Sequence, residues 1–121
     1  MKYLVLIYSN PGAFEALSEE ERSRMGSEMD AMLKEFRGSG EFVGGAALAD
    51  PSQTKTVRVR DGVPAITDGP FAEAKEQLAG YYVLDCESIE RTTEIATHDP
   101  AARLWQVEVR PIMDEAGAEI E

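Results

Sequence analysis

DGPFAEAKEQLAGYYVLDC, Asp68 to Cys86, joins a turn, a charged cluster and a strand in one run. Leu78 to Cys86 reads as a strand, and its two adjacent tyrosines point to opposite sheet faces because strand side chains alternate. Asp68-Gly69-Pro70 ahead of it is turn chemistry, with aspartate bonding backbone amides while glycine and proline set the dihedrals. On the N-terminal side, Thr54 to Arg60 alternates polar and apolar residues, Asp61-Gly62 is a strong two-residue turn, and Val63 to Thr67 returns. A small hairpin projecting from the core is expected there.

The flanking segments supply the remaining elements. Lys2 to Tyr8 reads KYLVLIY, a strand apolar on both alternating faces and therefore covered on two sides. Ser18 and Glu21 form a capping box at a helix start. Met25, Met29, Met32, Leu33 and Phe36 then recur at helical spacing, and Gly38-Ser39-Gly40 ends that helix. Glu41 to Leu48 is a second strand whose Gly44-Gly45 marks a bulge or a close approach. After Cys86, Ser88 caps a short helix running to about Thr97. Asp99-Pro100 breaks it, and Leu104 to Ile112 is the last strand, with Trp105, Val107 and Val109 on one face.

With the hairpin set aside, the order is strand, helix, strand, strand, helix, strand. That is the α+β, ferredoxin-like split βαβ arrangement, an antiparallel sheet with both helices on one face. Lys2, Leu4, Leu6 and Tyr8 alternate with Tyr3, Val5 and Ile7, so neither face of the first strand suits water. A self-complementary homodimer, sheet against sheet, is the economical cover.

Composition bounds the function. A chain of 121 residues is of single-domain size. A formal charge of -11 argues against a nucleic-acid partner. Much of that charge lies in Glu15–Glu35 and in an acidic tail from about residue 114. The one cysteine, Cys86, suits a reducing cytoplasm, and no stretch approaches membrane-spanning length. Neither paired-cysteine nor HExxH spacing is present, nor a phosphate-cradling glycine motif, so no metal or cofactor is expected.

The string DGPFAEAKE, Asp68 to Glu76, closely resembles the signature of the DGPF (DGPFAETKE) family, within the YCII-related domains; Ala74 stands where that signature has threonine. The resemblance extends to the KYLVLIY opening, the glycine pair after the first helix, the GYYVLD strand and VEVRP at Val107 to Pro111. It implies one domain over residues 1–121, and a dimeric α+β barrel of ferredoxin-like subunits with a cleft beneath the barrel wall. It implies little about chemistry. Some related domains resemble enzymes acting on small aromatic compounds, and some DGPF domains associate with extracytoplasmic-function sigma factors. The family's recurring aspartate has a similar context at Asp68, but its histidine lies near the first helix, where this chain has none.

Candidate site residues carry two readings each. Asp68 is either a turn former or a general base at the cleft rim. Lys75 is either part of a solvated charge run or a binder of a substrate carboxylate. Of the tyrosine pair, Tyr81 is the one expected to present its ring and hydroxyl to a ligand. Glu108 and Arg110 share a strand face, as an enclosed pair beside a ligand or as an intersubunit salt bridge. His98 is explained by a helix C-terminus, or is catalytic if its imidazole enters the cleft. Two functions fit this set. One is a binding domain or enzyme acting on a small anionic or aromatic molecule, its reaction unassigned; the other is a non-catalytic regulatory module tied to a sigma factor.

Overall fold

In chain order the elements are β1 (Lys2–Ser9), α1 (Ala13–Ala16), α2 (Glu19–Gly38), β2 (Phe42–Ala47), β3 (Lys55–Arg60), β4 (Val63–Asp68), β5 (Gln77–Asp85), α3 (Ile89–Ala96), α4 (Pro100–Leu104) and β6 (Gln106–Pro111). The structure, a computed structural model, describes residues 1–10, 12–70 and 76–113. β1 is central, pairing antiparallel with β5 on one side and β6 on the other, and β2 extends the sheet from β5. The resulting order, β2-β5-β1-β6, is that of the ferredoxin-like α+β arrangement.

One sheet face carries the core. Tyr3 and Val5 of β1 and Tyr82 and Leu84 of β5 pack with Met32 and Phe36 of α2 and Ile95 and Ala96 of α3, all of them buried. Both longer helices therefore cover the same face, as the element order predicts. The capping box is present at α2: Glu21 N–H donates to Ser18 Oγ and Ser18 N–H to Glu21 Oε1, each at 3.0 Å.

Gly44-Gly45 does both things expected of it. The β2–β5 register shifts between Phe42 and Gly44, and Gly45 lies so close to β5 that a Cβ there would stand 2.6 Å from Tyr82 Cβ. Only glycine fits. The hairpin also forms, as a separate two-stranded sheet turning at Asp61 (φ 52) and Gly62 (φ 77). Positive φ at both positions is what a type I′ turn needs, and glycine takes it without strain.

Two segments depart from expectation. α1 has no periodic signal in the sequence. Asp99-Pro100 ends α3 as expected but also begins α4: the Asp99 carboxylate accepts from Ala101 N–H at 2.8 Å, and proline occupies the first turn. Proline there costs no helical hydrogen bond. The last strand therefore starts at Gln106, and Leu104 and Trp105 precede it. Among the described residues no helix is long and apolar enough to cross a membrane.

Candidate functional site

An open cleft of about 610 Å³ lies between α1, α2 and the helix-covered side of the sheet. That volume is typical of small-molecule sites. One wall is a row on α2, Met25, Met29, Leu33 and Arg37, at every fourth position. Residues four apart stack on one helix face, so the row extends over about 18 Å. Ile7, Phe42 and Tyr82 border the cleft from the sheet, and Trp105, the only tryptophan, also lines it.

Among the described residues Arg37 is the only lysine or arginine lining the cleft. Its guanidinium lies 4.9 Å from the centroid of the Phe42 ring, a cation–π contact. It joins no ion pair among the described residues. Phe42 is itself 6.3 Å, centroid to centroid, from Tyr82.

Tyr82 is held from behind. Its hydroxyl donates to Asp99 Oδ2 at 2.8 Å, and Asp99 Oδ1 caps α4. Asp99 is 1% exposed. Burial pushes its carboxyl above the usual range, against the pull of the Ala101 and Tyr82 donors. Burial first, then the Asp99 charge, raises the Tyr82 hydroxyl in turn. This pair joins β5 to α4, and loss of one member strands a buried polar group at a cost of about 1–3 kcal/mol.

The other sheet face is open. Leu6 of β1 pairs with Tyr81 on one side and Glu108 on the other, while Leu4 pairs with Val83 and Arg110. The two rows place Tyr81, Leu6 and Glu108, then Val83, Leu4 and Arg110, side by side. Tyr8 joins them: its hydroxyl bonds Glu108, which raises its pKa, with Arg110 pulling the other way.

The structure thus brings Tyr81, Glu108 and Arg110 together on the open face and keeps them apart from Asp68 and His98. Asp68 ends β4 on the projecting hairpin, its side chain 82% exposed and paired with Lys55. His98 is exposed just beyond α3. Lys75 lies outside the described residues. In the single chain Asp68, His98, Glu108 and Arg110 do not line the cleft, whereas Tyr81 borders it, with its side chain on the far face by strand alternation. Sequence reasoning missed Arg37, Tyr82 and Asp99. The available signal was a cation continuing the Met25–Met29–Leu33 row.

A further network closes the far end of the helix layer. Arg91 of α3 donates to both oxygens of Glu41, at 2.9 and 3.0 Å, and Ser39 Oγ donates to Glu41 at 2.8 Å. Cys86 Sγ lies 3.6 Å from Glu41. Hydrogen bonding from Arg91 holds the Glu41 carboxyl down to about 2. Among the described residues no group of three or more His, Cys, Asp or Glu side chains is arranged to hold a metal.

A four-stranded antiparallel sheet with helices on one face and an apolar cleft beneath them defines a small α+β domain built around a cavity. Comparison with known proteins makes this specific: the chain belongs to the YCII-related domain family, whose sequence profile matches residues 1–116. It is 33% identical over 114 residues to an uncharacterised protein of Rhizobium meliloti (strain 1021), covering 93% of this chain and 92% of that one. Its fold is similar to that of a 5-chloro-2-hydroxyhydroquinone dehydrochlorinase from Burkholderia phenoliruptrix AC1100, solved in complex with 2,5-dihydroxybenzoquinone. The TM-score is 0.56 with 13% identity, over 98% of this chain and 100% of that one. At that identity the likeness is one of fold.

Proposed function

We propose that this chain is a small-molecule-binding domain of enzyme-like build, in the DGPF branch of its family and working as a homodimer. The observation that carries the reading is the open cleft of about 610 Å³, walled largely by apolar side chains, with Arg37 on its α2 wall. A regulatory module with a filled interior fits that opening poorly. The DGPFAEAKE string supports the branch, and the quinone ligand of the structural neighbour supports a small, planar-ring substrate class. Leu4, Leu6, Tyr81 and Val83 on the open sheet face support sheet-to-sheet pairing. The single unpaired cysteine suits a cytoplasmic setting.

Native mass spectrometry under gentle and then denaturing conditions tests this. A dimer carrying a small mass that leaves on denaturation is the expected result, and that mass names the ligand. A monomer would remove the dimer from the proposal.

Proton transfer by Asp68, with Arg110 and Lys75 holding an anionic substrate, belongs to the closed dimer. In one chain the Asp68 side chain is exposed, so this role rests on the proposed dimer. Asp68→Asn should weaken affinity for the ligand captured in the mass spectrum. Unchanged affinity in a folded variant would remove Asp68 from the site.

A further inference from the structure

We infer that the cleft recognises a flat, apolar carboxylic acid, with Arg37 as the residue that holds the carboxylate. The inference rests on the ligand-binding reading above and adds the chemical class of the ligand. Three features of the cleft carry it.

The first is polarity. Met25, Met29 and Leu33 give the α2 wall an apolar surface, and Arg37 ends the row with the only lysine or arginine side chain that lines the cleft among the described residues. A neutral apolar ligand would leave that cation without an anion, whereas an acid satisfies both parts of the wall. Methionine adapts to ring-shaped surfaces, since its thioether is flexible and polarizable.

The second is placement. Glu15 and Asp50 also border the cleft, but Glu15 precedes the start of α2 and Asp50 follows the far end of β2. α2 and β2 run in succession, so both acids stand toward the end opposite Arg37. Asp50 is also occupied, accepting from Ser52 N–H at 2.9 Å. The charge gradient along the cleft therefore favours one orientation, with the ligand's acid group at Arg37.

The third is shape. The Arg37 guanidinium rests over the Phe42 ring at 4.9 Å, a contact that limits its freedom. Phe42 and Tyr82 continue the aromatic surface inward, which suits a planar body. A cation at a helix C-terminus also steadies the helix dipole, so Arg37 has a structural use as well. That use predicts a loss of stability on substitution, and no discrimination between ligands.

Calorimetric titration of the full chain with naphthoate and with its neutral isostere naphthamide separates these cases. Wild type should bind naphthoate about tenfold more tightly, the difference that a charge-assisted hydrogen bond supports. Arg37→Gln should abolish the preference, naphthoate losing far more affinity than naphthamide, so that the two bind alike. Arg37→Lys, which keeps the charge and loses the fork, should retain part of the preference. Equal binding of the two probes by wild type, or a preference that persists in Arg37→Gln, overturns the role of Arg37 and leaves the cleft reading standing. Failure of wild type to bind either probe sinks the cleft reading and this inference with it.

Discussion

The two faces of the four-stranded sheet are made of alternate residues of the same strands, yet they solve different problems. On the helix-covered face Val5 is 0% exposed, Leu84 1% and Tyr82 3%, and the buried Asp99 that meets Tyr82 there is hydrogen-bonded through both carboxylate oxygens. On the open face Leu4, Leu6 and Tyr8 are half-buried, Tyr81 is 38% exposed, and Glu108 and Arg110 face solvent. β1 is apolar toward both. The difference teaches that one chain completes one face only; apolar residues repeated on the second face are the feature a second copy would use.

Substituting one residue on each face breaks the comparison most sharply. Leu84→Ala removes a fully buried side chain and should cost about 2–5 kcal/mol of stability, read by denaturant unfolding. Leu6→Asp should change the stability of the single chain by far less. Its effect should fall on association, because an unpaired carboxylate would be buried between the facing sheets. The expected readout is a dimer mass in native spectra for folded Leu84→Ala and a monomer mass for Leu6→Asp. If Leu6→Asp stays dimeric, the open face is not where the copies meet.

Much of this architecture was legible because local chemistry dictates it. The two-sided strand at Lys2–Tyr8, the Ser18–Glu21 capping box, the Asp61-Gly62 turn and the Gly44-Gly45 approach each follow from backbone needs that only a few residue types meet. α4 was less legible, since aspartate followed by proline both stops one helix and starts the next. The site was harder still. Arg37 looks like any exposed helix cation until Phe42 is known to lie beneath it, and the Tyr82–Asp99 bond joins residues from separate elements. The turn chemistry of Asp68 says how the backbone bends there, not what stands opposite its carboxylate. In the single chain what stands opposite is Lys55 on the other strand of the hairpin.

Charge on the two sides of the sheet supplies a smaller and finer test. The helix side holds Glu41 ionised by bonding it to Arg91, and holds Asp99 in a site that resists ionisation. These two carboxyls pull stability in opposite directions in acid. Glu41 sits at about 2 in the fold against an ordinary 4.5, so its stabilisation is present above pH 4.5 and is lost as pH falls toward 2. Asp99 sits above its ordinary 3.8, so the fold binds its proton more tightly and gains from acidification between the raised value and 3.8. Glu21, Glu28 and Asp50 also lie below their ordinary values, but exposure limits them to a shallow share of the slope. Glu41→Gln should therefore cost about 1 kcal/mol at neutral pH, since Arg91 keeps a neutral acceptor. It should also flatten the fall of the urea midpoint between pH 4.5 and about 2. A variant that loses stability in that window as steeply as wild type would place the acid sensitivity elsewhere and remove the Glu41–Arg91 pair as the clasp of the covered side.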